Sequence, residues 1–202
     1  LQSRLDRILA AGSADISTFG GTYAGGYCLM QNPEEFAGLI EFLIGHGPFA
    51  NYLEIGIGTG GGIRVLNETV FPRTNTVIDT FANPFTSQWP EHEPHIRNVK
   101  VVRGDSTNPD TVLYVSLLGR EFDLIGIDGE HSYPFVRADF HNYTKMAKPG
   151  ALVWFHDTVS TPEGPGLYVK NLEREGFRVA YRNESGKLGI AVVEYDPRLE
   201  KP

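Results

Sequence analysis

Short apolar runs and helix-period segments alternate along most of the chain. "NYLEIGI" (51–57), "TNTVIDTF" (74–81), "VKVVRGD" (99–105), "FDLIGID" (122–128) and "ALVWFHD" (151–157) are rich in β-branched and aromatic residues, which predicts five strands. Between them, "GGIRVLNETV" (61–70), "PDTVLYVSLLG" (109–119) and "PFVRADFHNYTKMA" (134–147) repeat apolar positions at helical spacing. Lys148-Pro149-Gly150 is expected to end the last of these. "GLYVKNLEREG" (166–176) predicts another helix. "FRVAYR" (177–182) and "LGIAVVEY" (188–195) read as two more strands, joined by a turn at Asn183-Glu184-Ser185-Gly186. Strand–helix alternation argues a parallel sheet covered on both faces. The expected fold is α/β and doubly wound: seven strands, mostly parallel, with an antiparallel terminal hairpin.

The first fifty residues precede this rhythm. Leu1, Leu5, Ile8 and Leu9 recur at helical spacing, and residues 12–27 are a Gly- and Thr-broken loop. "NPEEFAGLIEFLIGHG" (32–47) reads as a helix with Asn32 as cap, Pro33 in the first turn, and Glu34 and Glu35 at the positive end of the dipole. One domain is expected over 1–202, with 1–47 capping the ligand site and 48–202 forming the core. Residues 82–98, "ANPFTSQWPEHEPHIRN", interrupt the alternation. Their prolines oppose a regular crossover helix. They read as a loop at a strand's carboxyl end that could close over a substrate, with Phe85 and Trp89, and Tyr23 and Tyr27 upstream, as pocket walls.

Five glycines fall in the seven positions from Gly56 to Gly62, between the first strand and its helix. In an open parallel sheet this turn is where ligands bind, and helix N-terminal amides beyond it favour an anionic group. Gly56, Gly58 and Gly61 match G-x-G-x-x-G, and Asp79 ends the next strand. An NAD-binding oxidoreductase is therefore one reading. Glu54 inside the strand end, the long N-terminal segment and the terminal hairpin speak against it.

Glu54-Ile55-Gly56-Ile57-Gly58-Thr59-Gly60, followed by Asp79 and by Gly104-Asp105-Ser106, resembles the class I S-adenosylmethionine-dependent methyltransferases, whose fold is Rossmann-like. The resemblance covers roughly residues 30–195. It implies that Glu54, Gly56, Gly58 and Gly60 meet the methionine end of the cofactor. It implies that Asp79 meets the ribose, and Asp105 with Ser106 the adenine. Asp128 borders the same cofactor.

A second pattern is Asp128-Gly129-x-His131-x-Tyr133, then a helix, Pro149-Gly150, and a strand ending His156-Asp157. Strand ends lie about 5 Å apart, so these side chains should share a cleft. The pattern resembles a subgroup of small-molecule O-methyltransferases that includes macrolide-sugar and cephalosporin hydroxylase-like proteins. The resemblance implies transfer to a hydroxyl of a small molecule, with His131 as general base and Asp128 beside it. It also implies a divalent metal, magnesium or manganese, at Asp128, His156 and Asp157. His156 stands where those relatives carry an acid, and an imidazole favours manganese, iron or zinc over magnesium. A non-catalytic ligand-binding relative is the remaining alternative.

Composition narrows the partners. Twenty-five acidic against 18 basic residues give a formal net charge of −7, with no Lys/Arg cluster, so no nucleic acid partner is expected. The single cysteine, Cys28, fits a reducing compartment. No apolar run reaches the roughly 20 residues that span a bilayer, and the start is too charged for a signal peptide. A cytoplasmic protein with no membrane partner is expected.

Overall fold

The computed structural model describes residues 29–200. The expected helix over 1–11, the loop over 12–27, and Tyr23, Tyr27 and Cys28 lie outside them. Helix α1 (Pro33–His46) begins as expected: the Asn32 side-chain oxygen accepts from the backbone N–H groups of Glu34 and Glu35 at 3.0 and 3.1 Å. Its buried Phe36, Leu39, Ile40 and Leu43 pack on the sheet. Strands β1 (Asn51–Ile55), β2 (Thr74–Asp79), β3 (Val99–Arg103), β4 (Phe122–Ile127) and β5 (Ala147–His156) follow. Helix α2 (Gly61–Thr69) leaves the glycine turn, and α3 (Trp89–His92) is a single turn. Helices α4 (Pro109–Ser116), α5 (Tyr133–Thr144) and α6 (Leu167–Arg174) and strands β6 (Arg178–Asn183) and β7 (Ile190–Glu194) complete the order. No helix among the described residues is long and apolar enough to cross a membrane.

The seven strands run β3-β2-β1-β4-β5-β7-β6. The first five are mutually parallel; β7 is antiparallel to both β5 and β6. Alternate residues feed two cores. Tyr52, Leu124, Trp154 and Val192 face one, with α1 and α2; Leu53, Ile125, Val153 and Val193 face the other, with α5 and α6. Strand order reverses between β1 and β4. Register fixes what meets there: Ile55 pairs with Ile78 and with Ile127, and Ile127 with Phe155. The next residue on each strand therefore lies in one row: Asp79, Gly56, Asp128 and His156.

Two local expectations change. Helix α5 stops at Thr144, and Ala147 already pairs with Phe122 in the sheet. The Phe122 N–H bonds the Met146 carbonyl at 2.8 Å, so the sheet claims residues whose pattern read as helix. Residues 84–95 are short helical turns, not an open loop. Trp89 and His92 are buried there, and Trp89 fills the space above Gly60. The segment serves as the crossover layer, and of residues 82–98 only Asn83 and Phe85 reach the cleft.

Candidate active site

The glycine turn brings three segments into contact. Gly56 has φ +79°, and a Cβ there would collide with the Asp128 carbonyl oxygen. This position therefore needs glycine both for its conformation and for the approach of β1 to β4. A Cβ on Gly58 would stand 2.6 Å from Met30 Sδ, and one on Gly60 2.8 Å from the Trp89 ring. Gly56 and Gly58 line a cleft of about 830 Å³ over the switch point; Gly60 caps α2 beneath Trp89 and does not.

The carboxylates differ in what they face. Asp79 lines the cleft and ties the turn to β2, accepting from the N–H groups of Ile57 at 3.0 Å and Phe81 at 2.6 Å. Asp105 and Ser106 line the same cleft beyond β3. One Asp105 oxygen is held by the Thr107 N–H and hydroxyl, and the Ser106 carbonyl by the Tyr143 hydroxyl at 2.8 Å. Glu54 is absent from the cleft lining. It is buried, bonded by the Tyr52 hydroxyl at 2.7 Å, and burial pushes its pKa up to about 8.

At the ends of β4 and β5 four side chains converge, as the sequence leads one to expect. His156 is buried, and its Nδ1 lies 3.0 Å from Asp128 Oδ1 and 2.9 Å from Asp157 Oδ2. Burial alone would lower its pKa; the Asp128 charge, the hydrogen bonds to both carboxylates and the Asp157 charge outweigh it and hold it high. Burial pushes Asp128 the other way, yet the charge and hydrogen bond of His156, with His131 close by, hold it well below the usual carboxylate range. Asp157 is also low, burial being overcome by His156. Its backbone is left-handed (φ +57°), and its second oxygen accepts from the Ser160 hydroxyl. His131 is half-exposed, with Nε2 3.6 Å from Asp128 Oδ1 and 3.3 Å from Asp157 Oδ2 and no hydrogen bond to either. Asp128 raises its pKa most, burial opposes, and Asp157 adds to the rise.

Asp128, His131 and Asp157 each offer a ligand atom within 4.8 Å of the others. One imidazole and two carboxylates fit a manganese, iron or zinc ion better than magnesium. His156 lies outside that set, because its Nδ1 faces both carboxylates as a hydrogen-bonding partner. Gln31 joins the site without having been expected: its Nε2 donates to Asp128 Oδ2 at 2.7 Å. Its only local signal is its place one residue ahead of the Asn32 cap.

A family model described as a methyltransferase domain matches residues 53–158. Among solved structures, the N-methyltransferase NodS from Bradyrhizobium japonicum, in complex with S-adenosyl-L-homocysteine, is similar. It is 16% identical over 95% of this chain and 100% of its own, with a TM-score of 0.64. An O-methyltransferase family protein from Burkholderia thailandensis is 11% identical over 79% of this chain and 55% of its own, TM-score 0.58. The MycE methyltransferase of the mycinamycin biosynthetic pathway, in complex with Mg and SAH, is 18% identical over 94% of this chain and 56% of its own, TM-score 0.57. At these identities the likeness is one of fold. A curated relative, an uncharacterized protein of Sinorhizobium fredii, is 41% identical over 46 residues, 23% of this chain. The chain spans about 5% of that protein's length.

Proposed function

The chain belongs to the methyltransferase-domain family, and we propose that it moves a methyl group from S-adenosylmethionine to a hydroxyl oxygen of a small molecule, such as a sugar. One observation carries this reading. Gly56, Asp79 and Asp128 form a row at the switch point, and His131 stands beside two carboxylates in the same cleft. S-adenosylmethionine, when bound, supplies a sulfonium methyl open to in-line attack by an oxygen.

The chain's own groups do the rest. Asp79 spends one lone pair per oxygen on backbone N–H groups. The second pair on each is free for ribose hydroxyls. Asp105 and Ser106 border the adenine end, where Tyr143 fixes the Ser106 backbone. With cofactor and acceptor bound, the His131 imidazole would take the acceptor hydroxyl's proton as the methyl passes from sulfur to that oxygen. Asp128 and Asp157 stabilise the imidazolium so formed, and His156 holds those two carboxylates in place. Met30 and Gln31 at the cleft wall support the capping role expected of residues 1–47.

The convergence of Asp128, His131 and Asp157 favours a second reading: a divalent transition ion held by these three. It would supply Lewis-acid stabilisation of the acceptor oxygen. A His131 ring that binds a metal through one nitrogen carries its proton on the other and has no lone pair left for the acceptor's proton, so the two readings separate experimentally. The cofactor is tested by isothermal titration with S-adenosylhomocysteine and with NAD. Binding of S-adenosylhomocysteine alone is expected; binding of NAD alone overturns the assignment.

A further inference from the structure

We infer that Glu35, on α1 and outside the cleft, is a positioning residue for the candidate active site: through the β6–β7 turn it holds the Asp157 carboxylate against His131 and His156. This rests on the methyl-transfer reading above for the role of that carboxylate. Glu35 is fully buried and does not line the cleft. A buried carboxylate is costly unless hydrogen-bond donors satisfy it. Here the donors are backbone N–H groups of the turn between β6 and β7. Gly186 donates at 2.9 Å, and Gly189 at 3.1 Å to each carboxylate oxygen. The fit is close: a Cβ on Gly186 would stand 2.6 Å from Glu35 Oε1. The Asn32 cap in turn fixes the first turn of α1, which carries Glu35.

The β6–β7 turn passes this constraint to the end of β5. Gly189 has φ +82°, and a Cβ there would stand 2.6 Å from Thr158 Oγ1, so glycine is what lets the turn lie this close. The Gly189 carbonyl accepts from the Thr158 N–H at 3.3 Å. The Leu188 carbonyl accepts from the N–H groups of Val159 at 2.8 Å and Ser160 at 3.1 Å. The three successive amides after Asp157 are therefore held by the turn that Glu35 grips. They fix the corner in which Asp157 keeps its left-handed backbone. From that corner the Ser160 hydroxyl donates to Asp157 Oδ1. Oδ2 is left 2.9 Å from His156 Nδ1 and 3.3 Å from His131 Nε2.

The test reads histidine ring signals and backbone amide exchange of the full chain by heteronuclear NMR in excess EDTA. Glu35→Met removes both acceptor oxygens at similar size. Glu35→Gln keeps one oxygen that can accept from both N–H groups. Gly186→Ala leaves Glu35 intact, but its methyl would part the turn from it. In Glu35→Met the amides of Thr158, Val159 and Ser160 should exchange at least about 10-fold faster than in the wild type. The ring signals of His131 and His156 should shift, while those of His92, in the crossover layer, and His141, on α5, stay in place. Glu35→Gln should restore both readouts, and Gly186→Ala should repeat the Glu35→Met changes. Movement of His92 and His141 as well would mark a general loss of packing in Glu35→Met, and Gly186→Ala then decides. Unmoved His131 and His156 signals in Gly186→Ala, or in a folded Glu35→Met, overturn the inference. So does a Glu35→Gln that behaves like Glu35→Met. A wild type that fails to bind S-adenosylhomocysteine sinks the cofactor reading, while the ring signals still decide the role of Glu35.

Discussion

Replacing Asp139 by Asn should stabilise the protein at neutral and alkaline pH and destabilise it in acid. Asp139 is fully buried on α5, and neither carboxylate oxygen makes a hydrogen bond to a described residue. It sits directly behind the cleft wall: a Cβ on Gly129 would be 3.9 Å from its Oδ2. Burial pushes its pKa from 3.8 to about 7, against a downward pull from Ser106 and with a smaller upward push from Asp105. A folded pKa above the unfolded one means that the folded state keeps the proton longer. The stability this group contributes is complete below pH 3.8 and drains away as the pH rises through about 7. A rise of about three units (7 − 3.8), at about 1.36 kcal/mol per unit, sets a ceiling of about 4 kcal/mol. Asn keeps the shape and never ionises, so it escapes this loss. Its buried NH2 costs about 1–3 kcal/mol without an acceptor. The net gain at pH 8 should be about 1–3 kcal/mol, turning into a loss of about 1–3 kcal/mol near pH 4, where the ionisation penalty is gone and the cost of the NH2 remains. Urea unfolding of both proteins at pH 4.5, 6 and 8 measures it. A difference that is the same at all three pH values, or that grows toward acid, would show that Asp139 is not held as a costly buried carboxylate.

His131→Ala should cut single-turnover methyl transfer by about 10²–10⁴, with S-adenosylhomocysteine affinity nearly unchanged; an unaltered rate removes His131 from the mechanism. In the wild type the rate should rise with pH through an apparent pKa above 6.5, because the neighbouring carboxylates favour the protonated ring; a midpoint below 6.5 contradicts their role. With His131 as base, turnover should persist in excess EDTA with no metal found by elemental analysis. Loss of turnover that manganese restores better than magnesium would establish the second reading, with Asp128, His131 and Asp157 as ligands.

The order of strands and helices was legible because periodicity is a local property of the chain. The Asn32-Pro33 start of α1, the glycine turn and the strands stand where the apolar pattern puts them, except that β5 begins at Ala147, four residues before the expected 151. The position of β7 between β5 and β6 is legible in retrospect. Its residues Ile190 to Val193 are buried on both faces, whereas β6 carries Arg178 and Arg182, which suit an edge. The end of α5 was not legible, because Met146 and Ala147 satisfy a helical pattern and a sheet ladder equally well. Only pairing with Phe122 decides between them.

At the candidate site the sequence by itself determined which residue types stand at the strand ends: Asp79, Asp128, His131, His156 and Asp157. Register then lined them up, because parallel pairing carries each strand's last residue into the same row. Tertiary structure alone decided what each side chain touches. Trp89 went into the core because Gly60 left a space for its ring. Glu54 faces inward to Tyr52, while Gln31, some twenty residues earlier and on another element, reaches Asp128. His156 is enclosed between two carboxylates, and His131, from the same cleft, keeps its Nε2 free of hydrogen bonds. Local pattern sets the direction of a side chain only relative to its own strand or helix. Its partner, its burial and hence its charge depend on distances of a few ångströms between elements far apart in the chain, and those are fixed only when the sheet and its covering helices pack.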